Sequence, residues 1–312
     1  MTVAAPAAAS PVADTDVSAT ATVEADTTGT EGDASLGRAA TLITVATLVA
    51  SMGNYGVNLV AARWLSPAAF GDASLVVTLM LAATAATVAF QLVTAQQISI
   101  ADDDARRAHR RSALRRSFRL GLVGAAILAA AAPWLRDASS SASALPLVLL
   151  AVSLPFALAQ SVERGVLQGR LAFRPLAATL LVEAAARSVV TVTLLAAGAG
   201  AAGVAIGVLV SFVASWAWGR TAVLRCERGT VVGSSARPAA PTTAASAVAR
   251  GTATRLVGQV LVNNGDVVLA KMLFDADAAG VYAVVALVGR AVFFLSWSVA
   301  TAAFPHAARE GA

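Results

Sequence analysis

The chain has 312 residues, of which 57% are hydrophobic and only 13% charged, and its mean hydropathy of +0.72 excludes an ordinary soluble domain in favour of an integral membrane protein. The formal net charge of +5 would suit a nucleic-acid binder, but the arginines stand mostly between apolar runs, where they act as topology signals, so no nucleic-acid partner is expected. The single cysteine, Cys226, excludes an internal disulfide.

Residues 1–36 are rich in Ala, Thr, Ser and Pro, carry scattered acids and lack apolar periodicity; they predict a disordered cytoplasmic tail. No basic segment precedes an apolar run there, so the stretch is not a secretory signal. From Ala39 onward, apolar stretches recur at the length needed to cross about 30 Å of hydrocarbon. They predict eight membrane helices near residues 39–62, 74–94, 118–135, 145–162, 176–197, 201–218, 253–273 and 280–304. The expected fold is an all-α, polytopic helical bundle. Residues 37–219 form a complete six-helix bundle, 220–249 a cytoplasmic linker with Pro238 and Pro241, and 250–312 the first two helices of a second bundle. Pro133, Pro146 and Pro155 interrupt the third and fourth helices, which proline permits in membranes where neighbours satisfy the freed carbonyl.

The connections alternate in charge. Arg106, Arg107, Arg110, Arg111, Arg115 and Arg116 lie between helices two and three; Arg164, Arg170 and Arg174 between four and five; Arg220, Arg225, Arg228, Arg237 and Arg250 between six and seven. The other connections hold only Arg63, Arg136 and Lys271. The positive-inside rule then puts both termini in the cytoplasm and leaves very short outer loops. The run up to Arg119 sets topology or also touches anionic lipid. Arg63 and Lys271, at outer helix ends, are expected to snorkel to the interface.

One pattern occurs twice. Asn58-Leu-Val-Ala-Ala-Arg63-Trp-Leu65, with Gly71 after it, is echoed by Asp266-Val-Val-Leu-Ala-Lys271-Met-Leu273, with Gly280 after it. Placing Arg63 on Lys271 puts Asn58 on Asp266, and one inserted residue puts Gly71 on Gly280. This implies a duplicated unit of roughly 200 residues. A second half that mirrored the first would call for four helices after Ala312, so the chain reads as partial or truncated.

Ionisable groups inside a membrane helix cost about 2.5–3.5 kcal/mol on insertion scales and so face a partner or a cavity. Glu183 and Arg187 share a face of the fifth helix at i, i+4, either as a structural ion pair or as part of a cavity. Arg290 has no acid within four residues, so its partner comes from another helix or a ligand. Thr47, Ser51, Asn54 and Asn58 form a polar stripe on helix one; Arg255, Gln259, Asn263 and Asp266 form its counterpart on helix seven. The two stripes either hydrogen-bond between helices or line a central cavity. Gly203 and Gly207 make a close-packing GxxxG in helix six. No metal cluster, catalytic triad, P-loop or dinucleotide fingerprint is present in the sequence, so neither enzyme nor cofactor is expected.

Three stretches carry a resemblance: Ala61-Ala-Arg63-Trp-Leu-Ser-Pro-Ala-Ala-Phe70-Gly71-Asp-Ala-Ser-Leu75, Arg164-Gly-Val-Leu-Gln168-Gly-Arg170-Leu-Ala-Phe173, and Asn263-Asn-Gly-Asp266 through Ala279-Gly-Val-Tyr282. They resemble the polysaccharide transporter (Wzx-type flippase) branch of the MOP superfamily, over roughly residues 36–308. The resemblance implies two six-helix bundles around a cationic cavity. It also implies translocation of polyprenyl-pyrophosphate-linked oligosaccharide across a bacterial plasma membrane by alternating access. Substrate-binding candidates are then Arg290, Arg187, Arg255, Asn54, Asn58, Gln259 and Asn263, with Glu183 and Asp266 coupling an ion or proton. Expected partners are the lipid-linked glycan, the bilayer and polysaccharide polymerase or glycosyltransferase machinery. Alternatives are a MATE-like exporter of organic cations, for which Glu183 or Asp266 would bind the cation, and an inactive remnant or partner subunit. A membrane glycosyltransferase would need a larger outer loop than those around Asp72, Asp137, Asp275 and Asp277.

Overall fold

The computed structural model describes residues 27–228, 258, 262 and 265–290. Two compact units divide the chain, Met1–Arg38 and Ala39–Ala312; the described part of the first is the opening of one helix, and all packing below belongs to the second. The helices are α1 (Thr27–Trp64), α2 (Pro67–Ile100), α3 (Asp103–Ala138), α4 (Leu145–Gly169), α5 (Phe173–Ala196) and α6 (Gly200–Arg228). Residues 265–273 and 276–290 are also helical and are called α7 and α8. Six of these helices are long and apolar enough to span a membrane; α7 and α8 are described only in part.

The observed helices outrun the apolar windows, and the reasons are local. Ser66 caps α2, its Oγ accepting from the Ala69 amide at 3.3 Å, and Pro67 follows in the first turn, where its missing N–H costs nothing. Asp102 caps α3 by accepting from the Ala105 amide at 2.8 Å. The arginine run is therefore helical rather than a loop, and α4 and α6 likewise continue to Gly169 and Arg228. Hydropathy marks the part of a helix in hydrocarbon; each further residue adds one backbone hydrogen bond once the helix exists. The same logic carries α1 back to Thr27, into the stretch expected to be tail.

α4 is the centre of the bundle and packs on α2, α3 and α6, while α5 packs mainly on α6. Glycines set the closest crossings. A Cβ on Gly121 would lie 2.4 Å from Pro155 Cα, one on Gly165 2.6 Å from the Gln91 carbonyl oxygen, and one on Gly169 2.5 Å from that of Ala95. Gly203 and Gly207 press α6 against Leu194 and Thr191 of α5, the close packing expected of that motif. Between the crossings, Val76, Met80, Leu150, Ala157, Ala205, Val208 and Phe212 fill the middle of the bundle.

The two copies of the repeated pattern have the same local geometry. Each helix breaks over two residues, 65–66 and 274–275. The next helix is capped by Ser66 in one copy and in the other by Asp275, whose Oδ1 accepts from the Ala278 amide at 2.8 Å. The two turns meet: a Cβ on Gly71 would be 3.3 Å from Gly280 Cα, and one on Gly280 1.8 Å from the Pro67 carbonyl oxygen. Ala61, Phe70, Ala73, Leu195, Val204, Val267 and Ala283 join both copies in one apolar cluster.

Candidate functional site

Inside the bundle, α1, α4, α5 and α6 share a polar network. Glu183 of α5 receives Arg187 at 2.6 Å, one turn on along the same face, and Arg164 of α4 at 2.7 Å. Gln160 Nε2 donates to the same carboxylate at 3.2 Å, while Gln160 Oε1 is buried with no hydrogen-bond partner. Arg187 also donates to Ser211 Oγ at 3.1 and 3.2 Å and to Asn54 Oδ1 of α1 at 3.4 Å, and it lies 5.4 Å over the Phe212 ring. Arg164 reaches Thr179 and Ser215. The set holds two guanidiniums against one carboxylate in an apolar setting, so it carries one surplus positive charge where an anion would be strongly attracted.

The expected pairing of Glu183 with Arg187 is therefore present, and Asn54 joins it. Asn58 does not: its Nδ2 turns back to the Asn54 carbonyl oxygen at 3.0 Å. Thr47 and Ser51, further along the stripe, are exposed. Arg290 finds its partner on another helix, as its lack of a nearby acid required. Its Nη2 lies 2.7 Å from Asp266 Oδ1, and Tyr282 donates to Asp266 Oδ2 at 3.2 Å. Arg255, Gln259 and Asn263 lie outside the described residues.

Lys271 corrects its expected role. It is not a snorkelling anchor: only 1% of it is exposed, and its ammonium meets Asp72 Oδ1 at 2.8 Å. The other Asp72 oxygen accepts from the Ala142 amide at 3.2 Å. Arg63, its counterpart in the repeat, is exposed. The difference is a carboxylate within reach, because burying an ammonium alone would be prohibitive.

Sequence reasoning missed Arg164, Gln160, Asp72 and a further buried set. Glu163, fully buried, takes a bidentate fork from Arg110 at 2.7 and 2.9 Å, and Glu227 stands 3.5 Å from the same guanidinium. Arg110 and Arg164 lie outside the apolar windows, so hydropathy assigns them to loops and hides their pairing. One signal was present: Gln160 and Arg164 repeat on α4 the i, i+4 spacing of Glu183 and Arg187.

Residues 36–309 match the family described as polysaccharide biosynthesis protein. Among solved structures, the chain is similar to an inward-facing multidrug resistance MATE family transporter of the MOP superfamily, with a TM-score of 0.57 at 12% identity, over 80% of this chain and 60% of that one. An outward-facing MATE family transporter gives 0.54 at 16%, over 74% and 53%. A MOP superfamily transporter from Pyrococcus furiosus gives 0.51 at 17%, over 84% and 60%. Likeness at these identities shows the fold, an all-α membrane bundle of the MOP type. The chain spans little more than half the length of those transporters. No curated protein matches it.

Proposed function

We propose, for a chain that belongs to the polysaccharide biosynthesis protein family, that it is a flippase rather than an enzyme and moves lipid-linked oligosaccharide across the plasma membrane by alternating access. The observation that carries the reading is the buried network of Arg164, Glu183 and Arg187 with its surplus positive charge. A polyprenyl pyrophosphate headgroup is anionic, and the planar fork of an arginine suits its oxygens. On entry, phosphate oxygens replace Glu183 as the partner of Arg187, and the released carboxylate takes up a proton or cation that couples the cycle. Arg290, held by Asp266 until then, supplies a second fork, with Arg255, Asn54, Asn58, Gln259 and Asn263 as further contacts. The Lys271–Asp72 pair closes the outer ends of the helices during loading. The N-terminus is cytoplasmic, and polymerase or glycosyltransferase machinery delivers and consumes the glycan.

An exporter of organic cations fits less well, because Glu183 already faces two guanidiniums. The test is transfer of a fluorescent polyprenyl-diphosphate-linked sugar across proteoliposomes. Arg187→Gln and Arg290→Gln each remove a charged hydrogen bond of about 1.5–3 kcal/mol, or about 10–150-fold in transfer. Unchanged transfer in both variants removes these arginines from the site. Efflux of an organic cation that Glu183→Gln abolishes would favour the exporter.

A further inference from the structure

We propose that a cleft between α3 and α6, at the arginine-rich end of the bundle, holds the phosphate headgroup of an anionic phospholipid. The cleft has a volume of about 330 Å³ and is lined by Leu114, Arg115, Phe118, Arg119, Trp216 and Arg220. Its charged groups are all guanidiniums, contributed by two helices, over an apolar and aromatic floor. Among the described residues none of the three arginines has a carboxylate within ion-pair distance, whereas Arg106, Arg107 and Arg110 on the same helix are each paired. Trp216 Nε1 is buried without an acceptor, on a ring that lines the cleft. Its ring is fixed by edge contacts with Phe118 and Phe156 at 6.0 and 5.8 Å, and Arg220 lies 5.9 Å over it.

Depth separates a lipid from other anions. From Arg136 at the far end of α3, Arg119 lies about 26 Å along the axis; from Gly200 at the start of α6, Arg220 lies about 30 Å along. Both distances match one hydrocarbon thickness, which sets the cleft at the headgroup level of the leaflet that the positive-inside rule makes cytoplasmic. Towards the hydrocarbon, Leu120, Val123 and Ile127 of α3 are more than half exposed, a surface for acyl chains directly below the cleft. A free phosphate would use the arginines but not Leu114, Phe118 or that surface.

The test is native mass spectrometry of the purified full chain with phosphatidylglycerol, phosphatidylcholine and inorganic phosphate. Phosphatidylglycerol should remain bound where phosphatidylcholine does not, and inorganic phosphate should not displace it. At roughly fivefold per cation near the surface, Arg119→Gln with Arg220→Gln should weaken retention about 25-fold. Trp216→Phe, which removes the N–H with part of the ring but keeps an aromatic floor, should weaken it by a smaller factor. Arg111→Gln with Arg116→Gln, an equal charge loss at exposed positions outside the cleft, should stay within about twofold of the parent. Equal losses in both double variants, equal retention of the two lipids, or displacement by phosphate alone would each overturn the proposal.

Discussion

Replacing Asp72 with Asn probes the contact that joins the two copies of the repeat. The substitution keeps an oxygen for the Ala142 amide but leaves the Lys271 ammonium, 1% exposed, without its counter-charge. Breaking one side of a buried pair typically costs about 3–5 kcal/mol. Since Lys271 regains water only if the turns separate, that cost falls on the closed arrangement alone and shifts the balance towards an open outer end by about 100-fold or more. Ala283, 2% exposed in the shared apolar cluster, reports the change: Ala283→Cys in a Cys226→Ser background should resist a membrane-impermeant maleimide, and Asp72→Asn should make it react. Adding Lys271→Met to Asp72→Asn removes the stranded charge, so protection should largely return, because the closed arrangement then buries no unpaired ion. Equal labelling with and without Asp72→Asn would refute the view that this pair holds the end closed. Failure of Lys271→Met to restore protection would show that the opening does not come from the stranded ammonium.

Two predictions concern stability. Glu163→Gln keeps one oxygen for the buried Arg110 but removes the charge opposite it, with Glu227 further off at 3.5 Å, and should cost about 3 kcal/mol, read as a lower thermal midpoint in detergent; an unchanged midpoint would mean that water reaches the guanidinium. Gly165→Ala puts a methyl group 2.6 Å from the Gln91 carbonyl oxygen and should destabilise by about 1–3 kcal/mol through overpacking of α2 on α4. Gly56→Ala, with nothing within 4 Å, should be neutral or stabilise by up to about 1 kcal/mol; similar shifts for the two would remove the role assigned to that crossing.

The membrane class, the helix order and the pairing of Glu183 with Arg187 were legible in the sequence because hydropathy and i, i+4 spacing are local. Arg164 and Arg110 were not, because both lie outside the apolar windows that mark helices by hydropathy, and their partners Glu183 and Glu163 belong to other helices. Gly165 and Gly169 had the spacing of a packing motif, but without the extension of α4 to Gly169 they read as part of a loop.

Lys271 shows the deeper limit. The repeat equates it with Arg63 and predicts the same role for both, since alignment compares each residue with its copy and not with what the copy touches. By the same alignment the counterpart of Asp72 is Val281, the residue after Gly280. The repeat therefore offers Arg63 an apolar residue in the place where Lys271 has a carboxylate, and only Lys271 is buried. The backbone contact is retained by both copies, through Gly71 and Gly280, while the charge is kept by one. A symmetric pair of latches would double the electrostatic cost of separating the turns; with one ion pair between them, the proposed alternating-access cycle should open at this end once Asp72 is neutralised.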